Sequence, residues 1–496
     1  TINLGINIDG LPLSKSSTSS LWPILGCVLP YKEIFIIGAY YGPKKPTNCN
    51  EFLQDFVEEM IELANNGIFL CEKFYNIQIK QILCDAPAKA FILNIKGHSG
   101  YFSCTKCVIE GEYRNRRICF VDIYAAKRTN NDFLNETDDN FHLGCTNLKQ
   151  IPQLHFIENI PLDYMHLLCL GVMRKCLYMW TTGDLKVRLQ SHKCQILSSN
   201  LENIKHNIPV EFCRKPRSLD YLKQWKATEY RQFLLYTGPV VLRGILSNDL
   251  YYHFLTLTVA IRILCCKNVC NDYLNYAEEL LIHYVNTFKI LYGKYNMSHN
   301  VHGLIHLCDD VRIHGTLDLF SAFKYENFLQ EVKKIIRKAD KPLQQLHRRY
   351  MEKNDAICNT DLTYEENSKI QLLNEHYDGP LIQDCTNPQY KSINMAQYII
   401  KVNDNANNCC FMKDESIIKI ENIAYCNRRK YLVAIGKKFM IKKDLFHVPC
   451  LSSLFDIYLV SNVSELCTWP ISDISKKMLI MPYANNTFVI IPLLHI

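Results

Sequence analysis

The sequence predicts an α/β core that is interrupted by an all-helical insertion and followed by a small β-rich C-terminal domain. Three observations predict this. Runs of alternating apolar and polar residues dominate residues 1–125, where helical segments lie between them. From about 150 to 320, apolar residues recur at helical spacing, and over 380–496 short β-type runs return. At 496 residues the chain is too long for one simple core, so two or three domains are expected.

The elements are expected in the following order. The opening strands are predicted at residues 2–8, 22–28 and 34–41. They are followed by a helix at 52–64, a strand at 77–83 and a helix at 89–95. The insertion is expected to contain helices at 165–180, 232–246, 252–265 and 273–292. The C-terminal strands are predicted at 416–420, 430–435, 454–460 and 488–494.

Five segments follow from this pattern. They are a first part of the core (1–125), a helical insertion (126–298), a segment that completes the core (299–352), a linker (353–379) and the β-rich domain (380–496). In the third segment a single basic helix is expected to run to about residue 352. A predicted strand begins at Ile2, directly after Thr1, so we expect further chain upstream.

Composition places the chain among globular proteins and permits a polyanionic partner. Hydrophobic residues make up 48% and charged residues 21%, which excludes a disordered chain. The net charge is +7 and the isoelectric point is near 8.4. The basic residues cluster at three places: Arg114, Arg116 and Arg117; Arg214, Lys215 and Arg217; and several lysines and arginines between 333 and 349. Taken alone, the third cluster is more typical of a solvated helix face.

Cysteine usage and hydropathy indicate a reducing compartment. The 23 cysteines are an odd number in a large chain, and several lie in apolar runs where buried thiols are expected. No apolar stretch is long enough to span a membrane, and the first residues do not resemble a signal peptide. We therefore expect the nucleus or the cytosol, and no membrane partner.

Three acidic residues stand where secondary structure would hold them in place. Asp9 and Asp85 follow predicted strands, and Glu326 opens a predicted helix. If these carboxylates converge, they can bind two Mg²⁺ or Mn²⁺ ions, which prefer oxygen ligands and stabilise an in-line displacement at phosphorus. Glu229 is the rival for the third position. The alternative is that these are unrelated acids among 49.

Two pairs of residues have the spacing of zinc ligands. Cys104 and Cys107 form a CxxC, and His302 and His306 stand four apart on a predicted helix, hence on one face. Together they make a Cys2His2 set with no open position, which is typical of a structural Zn²⁺ site. The alternative for the two cysteines is a redox pair, and the alternative for the two histidines is that both lie on a helix surface. Spare candidates are His299 and His314, while His166 is either a packed or a functional histidine.

The order of these motifs resembles a known family. Asp9-Gly10, Cys84-Asp85-Ala86, Cys104-x-x-Cys107, Leu162-Asp163-x-x-His166, His302-x-x-x-His306 and Glu326 are arranged as in DDE transposases of the CACTA (En/Spm)-like group. The arrangement is also similar to the catalytic core of the V(D)J recombinase. The resemblance covers roughly residues 1–350. It implies a ribonuclease H-like core with a helical insertion, magnesium bound by Asp9, Asp85 and Glu326, and zinc bound by the Cys and His pairs.

The resemblance also implies an activity and partners. We expect a cut-and-paste DNA transposase that hydrolyses a phosphodiester with two metal ions and then transfers the strand. Its partners would be transposon ends and target DNA, it would act as a homo-oligomer, and it would reside in the nucleus. Lys333, Lys334, Arg337 and Lys338 would neutralise DNA phosphates. One alternative is a domesticated, catalytically inactive DNA-binding or scaffold protein, and another is a structural zinc protein without a nucleic-acid role.

Overall fold

The chain forms two compact units. The computed structural model describes residues 1–13, 19–338, 340–359, 370–484 and 486–494. The first unit contains the described part of residues 1–175 and 274–362, and the second contains the described part of 176–273 and 363–496. The prediction of a mixed α/β chain with a β-rich C-terminal sheet is confirmed. Among the described residues, no helix has the length and apolar character needed to cross a lipid bilayer.

The first unit is built on a five-stranded sheet. Its strands are β1 (Ile2–Ile8), β2 (Leu11–Pro12), β3 (Ser20–Leu29) and β4 (Ile34–Gly42), followed after helix α1 (Cys49–Asn66) by β7 (Ile77–Leu83). The short strands β5 (Ile68–Leu70) and β6 (Lys73–Tyr75) form a separate hairpin between α1 and β7. The sheet order is β2-β3-β1-β7, and β4 pairs with β3. All of the opening strands therefore form where alternation predicts them.

Strand β1 lies at the centre of this sheet and sets the position of two acids. It is antiparallel to β3 and parallel to β7, with Asn7 opposite Leu83. Because the carboxyl ends of parallel strands meet at one edge of a sheet, the residues that follow β1 and β7 emerge side by side. The side chain of Asn7 strengthens this pairing, since its amide donates to the Leu83 carbonyl at 2.8 Å.

Helix α1 covers one face of the sheet. The side chain of Asn48 caps its first turn by accepting hydrogen bonds from the backbone of Asn50 and Glu51. Leu53, Phe56 and Val57 on its inner face are buried against β1 and β7. This apolar layer makes the strand ends a rigid platform.

After β7 the chain supplies short elements around the sheet edge. They are α2 (Ala86–Ile92), the hairpin of β8 (Glu112–Arg114) and β9 (Arg117–Cys119), and α3 (Asn130–Leu134). Helix α2 begins three residues before the predicted one because Asp85 caps it and Pro87 lies in its first turn, where proline is tolerated.

Helices then dominate, and two of the predicted ones are irregular. A π-helix, Met165–Met173, leads into α4 (Arg174–Thr182). The next helices are α5 (Ser191–Asn203), α6 (Ala227–Gln232), α7 (Gly238–Val241), α8 (Asn248–Cys265) and α9 (Lys267–Tyr292). The single helix predicted at 232–246 is wrong: a π-helix, Phe233–Thr237, joins α6 to α7, and α7 ends at Val241. Pro239 cannot donate a backbone hydrogen bond, which favours a break at this place.

The last helices return to the first unit. They are α10 (His299–Gly303), α11 (Leu307–His314), α12 (Phe323–Ile335) and α13 (Pro342–Asn359), with a 3₁₀ turn, Leu304–His306, between α10 and α11. The prediction of one basic helix to residue 352 is therefore wrong. Lys341 has a positive φ of 47° and precedes Pro342, and proline disfavours helical backbone in the residue before it. Helix α13 also takes in the first residues of the predicted linker, part of which lies outside the described residues.

Nine strands form the C-terminal sheet of the second unit. They are β10 (Gln371–His376), β11 (Cys385–Asn394), β12 (Ile399–Lys401), β13 (Cys409–Met412), β14 (Ile417–Cys426), β15 (Tyr431–Asp444), β16 (Tyr458–Pro470), β17 (Ile474–Ala484) and β18 (Thr487–Pro492). Strand β14 pairs with both β13 and β15, so the six strands from β13 to β18 form a closed ring of hydrogen-bonded neighbours.

A buried ion pair joins this sheet to the helical part of the second unit. The Lys477 ammonium, which is fully buried, lies 2.8 Å from both carboxylate oxygens of Glu211. It also donates to the Asn407 side chain at 2.5 Å and to the Ile399 carbonyl at 2.6 Å. With its donors satisfied in this way, the charge can be buried without the cost of an unpaired ion.

Candidate metal centres

Asp9 and Asp85 stand at the edge of the sheet where β1 and β7 end. One Asp9 oxygen accepts the backbone N–H of Gly10 at 2.7 Å. One Asp85 oxygen accepts the backbone N–H of Ala88 at 2.7 Å, which caps α2. Each carboxylate therefore has one oxygen held by the backbone, and both side chains are half-buried.

Glu326 reaches this edge from the first turn of α12. One ligand atom each from Asp9, His166 and Glu326 lies within 4.8 Å of the others. The Nε2 atom of His166 is 3.8 Å from Oε1 of Glu326. The sequence left His166 open between a packed and a functional role, and its place in the Asp9–His166–Glu326 cluster is the feature that sequence reasoning undervalued. The motif Leu162-Asp163-x-x-His166 contained the signal.

The carboxylate of Asp163 holds two parts of this cluster. It is buried and accepts hydrogen bonds from the His166 ring at Nδ1 (2.6 Å) and from the His166 backbone (3.1 Å). Its other oxygen accepts the backbone N–H of Ala322, the residue that precedes α12, at 2.9 Å. One side chain thus fixes both the orientation of the imidazole and the start of the helix that carries Glu326.

A glycine allows α12 to approach the sheet. A Cβ atom at Gly5 in β1 would lie 2.9 Å from the hydroxyl oxygen of Tyr325, which is closer than carbon and oxygen atoms pack. Tyr325 is fully buried and adjoins Glu326 in sequence. The absence of a side chain at Gly5 is therefore one reason that Glu326 lies beside the end of β1.

Burial and neighbouring charges shift the pKa values of Asp9 and His166 in the Asp9–His166–Glu326 cluster. Burial, together with the charges of Asp85 and Glu326, raises the pKa of Asp9 to about 7, although His166 acts in the opposite direction. Burial acts to lower the pKa of His166, but its hydrogen bond to Asp163 and the charges of Asp163, Asp9 and Asp85 outweigh this and raise the pKa to about 9. Burial is thus the largest cause of the Asp9 shift and the neighbouring carboxylates add to it, whereas the His166 shift reflects the carboxylates around its ring.

The four predicted zinc ligands come together in a buried cluster that can bind a metal ion such as zinc. The sulfur atoms of Cys104 and Cys107 are 3.6 Å apart, and the Nε2 atoms of His302 and His306 are 3.3 Å apart. Sulfur–nitrogen distances are 3.2 Å (Cys107 to His302) and 3.6 Å (Cys104 to His306). Metal bonds of about 2.0–2.3 Å in tetrahedral geometry need ligand separations of roughly 3.3–3.8 Å. Three of these four separations lie in that range, and the Cys107–His302 separation is slightly shorter.

The protonation of the cluster also suits a metal ion. Burial acts to raise the pKa of Cys104, but hydrogen bonds with Cys107, His302 and His306 outweigh it and bring this pKa well below the usual range of a thiol. The hydrogen bond between the two cysteines raises the pKa of Cys107, because the Cys107 thiol donates to Cys104. A metal ion would displace this remaining proton.

A chain of buried polar contacts connects the zinc-type cluster to the acidic one. Lys106, inside the CxxC, forms an ion pair with Asp310 of α11 at 2.6 Å, and both side chains are buried. The second Asp310 oxygen accepts the backbone N–H of Leu162 at 2.8 Å. Leu162 precedes Asp163, so the same segment contacts both clusters.

The other candidate residues have different surroundings. Both carboxylate oxygens of Glu229 bind the guanidinium of Arg217, at 2.6 and 2.8 Å, so this acid is held in an ion pair of the second unit. His299 and His314 contact the carbonyls of Ser103 and Glu158 and are not among the clustered ligands. The basic candidates are all exposed: Lys333 and Lys334 lie in the last turn of α12, and Arg337 and Lys338 lie in the segment between α12 and α13.

Comparison with known proteins adds one finding for the second unit. A family model described as a domain of unknown function (DUF8592) matches residues 375–493, the region of the nine-stranded sheet. A separate comparison with curated proteins gives no match.

Proposed function

We propose that this protein is a DDE-type DNA transposase that cuts and joins phosphodiesters with two metal ions. The observation that carries the proposal is the convergence of Asp9 and Glu326, from the two ends of the first unit's sequence, on one cluster beside Asp85. Carboxylates that converge at a strand edge repel one another, and a bound cation would offset this cost in free energy. The resemblance of the motif order to CACTA-like transposases supports the same function.

The topology of the sheet supports a ribonuclease H-like core. Three antiparallel neighbours, β4, β3 and β1, are followed by a helix and by β7, which is parallel to β1. Three neighbouring strands before a helix and a further strand resemble the opening of a ribonuclease H-like core. The two aspartates then follow the central strand and its parallel neighbour, the positions from which side chains reach one edge.

The donor set fits Mg²⁺ or Mn²⁺. Asp9, Asp85 and Glu326 offer hard oxygen ligands, and few enough of them that a phosphate and water would complete each coordination sphere. Such ions, when bound, supply charge neutralisation at the attacking and leaving oxygens. The protein holds the acids on a strand end, a helix cap and a helix start, so that little rearrangement is needed when the substrate arrives.

His166 has a separate role in this proposal. Its Nδ1 atom donates to Asp163, so Nε2 faces Glu326 and the space beside Asp9. From there it can donate a hydrogen bond to a phosphate oxygen of the DNA. It would orient the scissile phosphate rather than transfer a proton to it.

The Cys2His2 cluster is proposed to bind a structural zinc ion. Its four ligands leave no open position for a substrate. Zinc would connect the loop after Asp85 to α10 and the turn before α11, and so stabilise the long-range contact that brings Glu326 to the aspartates.

DNA is the proposed substrate and partner. The exposed cations Lys333, Lys334, Arg337 and Lys338 would contact phosphates, which gives salt-dependent and largely sequence-independent affinity. Action on chromosomal DNA implies a nuclear location, and joining two ends to a target implies a homo-oligomer. These two points rest on the proposed chemistry.

A nicking assay tests the proposal. Zinc-loaded protein is incubated with supercoiled plasmid in Mn²⁺, and conversion to the open circle is followed. We expect nicking that is lost, by about 10³-fold or more, in Asp85→Asn and Glu326→Gln but kept in Asp55→Asn, which changes an exposed acid of α1. Folded, zinc-loaded protein that never nicks DNA would instead support the catalytically inactive, DNA-binding alternative.

A further inference from the structure

The β8–β9 hairpin, Glu112–Arg114 and Arg117–Cys119, projects an exposed group of arginines next to the zinc-type cluster. Arg114, Arg116 and Arg117 are all exposed, and so is Tyr113, with 63% of its surface accessible. None of these residues belongs to either metal cluster or to the basic α12–α13 region. We propose that this hairpin is a second DNA-binding element that contacts the phosphates of the duplex, an inference that rests on the proposed function.

The hairpin is rigidly attached at its base. The Phe120 backbone donates to the Met297 carbonyl at 2.7 Å, and the thiol of Cys119 donates to the Tyr295 carbonyl at 3.3 Å. The fully buried ring of Phe120 lies 5.7 Å from the His302 ring, centre to centre. At the other strand, the Gly111 backbone donates to the Tyr101 carbonyl at 2.6 Å. The arginines therefore stand on a fixed support rather than on a mobile loop.

Two like charges face each other across this hairpin. Arg114 and Arg117 are direct cross-strand partners, a placement that is destabilising for like charges. Glu112 compensates one of them through its contact with the Arg114 Nε atom at 2.7 Å. Among the described residues, Arg116 and Arg117 form no recorded ion pair with an acid. Within residues 112–119 the three arginines exceed the one acid, Glu112, so the hairpin itself has a net positive charge.

In the turn between β8 and β9, Arg116 has a positive φ angle, which is unfavourable for a residue with a long side chain. Asn115 and Arg116 have φ angles of 46° and 63°, as in the two-residue turn that most often contains Asn-Gly. Glycine adopts this backbone without strain, whereas a long side chain does not. An arginine at the tip therefore has a local cost in backbone strain. A polyanion with regularly spaced phosphates is the partner that this chemistry fits.

A binding experiment with matched variants tests the hairpin. Fluorescence anisotropy of a labelled random-sequence duplex, without Mg²⁺ or Mn²⁺, gives affinity as a function of salt for the zinc-loaded full chain. For Arg114→Ala/Arg116→Gly/Arg117→Ala we expect roughly tenfold or greater loss of affinity and a slope of log K against log[salt] that is smaller by about 2 to 3. For Arg116→Gly alone, we expect a smaller slope with an unchanged or raised Tm, since the strain is relieved.

The control is a similar turn in the second unit. Residues 428–430 carry three exposed cations between β14 and β15, and Lys430 also has a positive φ, 62°. Arg428→Ala/Arg429→Ala/Lys430→Gly removes the same charge and should leave the slope nearly unchanged. Equal losses in both triple variants would mean that only net charge matters, which overturns the inference.

Other outcomes separate this inference from the proposed function. If the unmodified protein binds DNA with a salt-dependent affinity that the hairpin variants do not change, the hairpin proposal fails and the proposed function stands. If the unmodified protein binds no DNA, both fail. If the variants lose affinity for RNA or for an acidic peptide but not for DNA, the hairpin binds a different class of partner and the proposal is overturned. Zinc content and Tm of each variant exclude loss of the fold as the cause.

Discussion

The carboxylate of Asp163 lies 2.6 Å from Nδ1 of His166 and, through its other oxygen, 2.9 Å from the backbone nitrogen of Ala322. A single buried side chain therefore sets the direction of an imidazole and the first turn of the helix that carries Glu326. Because α12 begins beside this contact, the distance between Glu326 and Asp9 depends on a residue that need not touch substrate. Asp163 is a positioning residue in the proposed site.

Replacement of Asp163 should release both the His166 ring and the first turn of α12 from their present positions. Asp163→Asn keeps the size of the side chain but loses the charge-assisted bonds, so we expect a loss of about 1.5–3 kcal/mol in the free energy of unfolding. Nicking in Mn²⁺ should fall about 10²-fold, while zinc content stays at one ion per chain. Thermal unfolding, metal analysis and nicking rates measure the three effects. Unchanged nicking in a folded Asp163→Asn protein would refute the positioning role.

Removal of zinc should affect the acidic site at a distance. In His302→Ala or Cys107→Ser, one of the four ligands is lost, so the bound zinc should fall below one ion per chain and Tm should drop. Mn²⁺ affinity at the acidic cluster should fall as well, because zinc no longer connects the loop of Cys104 and Cys107 to the turn before α11. His314→Ala is the control, since this ring donates to the Glu158 carbonyl and is not among the clustered ligands. A ligand variant that keeps full Mn²⁺ affinity would show that the two clusters are independent.

The two glutamates considered for the third acid should behave oppositely. Glu326→Gln should reduce Mn²⁺ binding and nicking with little change in stability, since this side chain is half-exposed and repels its acidic neighbours. Glu229→Gln should leave metal binding intact but lower the free energy of unfolding by about 1–3 kcal/mol, because it weakens the buried pair with Arg217. Calorimetry with Mn²⁺ and chemical denaturation measure both quantities. The reverse pattern would make Glu229 the better candidate.

Metal binding at the acidic cluster should release a proton from Asp9. In the metal-free protein burial and neighbouring charge raise the pKa of Asp9 to about 7, whereas a metal ligand must be ionised. Affinity for Mn²⁺ should therefore fall about tenfold per pH unit below pH 7 and level off above it. Metal-free protein should show the opposite trend in stability: a carboxyl whose folded pKa is raised contributes stability below pH 3.8 that is lost as the pH rises through 7.

Calorimetry in buffers of different ionisation enthalpy measures the released protons. About one proton should appear per site at pH 6, and this release should disappear in Asp9→Asn. Release that is the same in both proteins would assign the proton to another group. His166 is the alternative source, because its pKa is also raised, to about 9.

Local rules were sufficient for the strands and for the candidate zinc ligands of known spacing. The strand at 2–8 forms where alternation predicts it, although both of its faces are buried from Leu4 to Ile8, and CxxC spacing brings two thiols together within one turn. Local rules failed at the helix breaks. Nothing in periodicity distinguishes a π-helix at Met165–Met173 from an α-helix, since both bury similar apolar residues. The break before α13 could have been read from Pro342, which disfavours helix in the residue before it.

The sequence by itself determined the class of fold, the three acids and the Cys and His pairs, because strand periodicity, strand ends and ligand spacing are local properties. Tertiary structure alone decided which distant residues meet. It put His166 beside Glu326, paired Glu229 with Arg217, and used Asp163 and Gly5 to bring α12 to the end of β1. These contacts depend on packing between segments that are far apart in sequence, where side-chain shape and buried hydrogen bonds, rather than local pattern, select the partner.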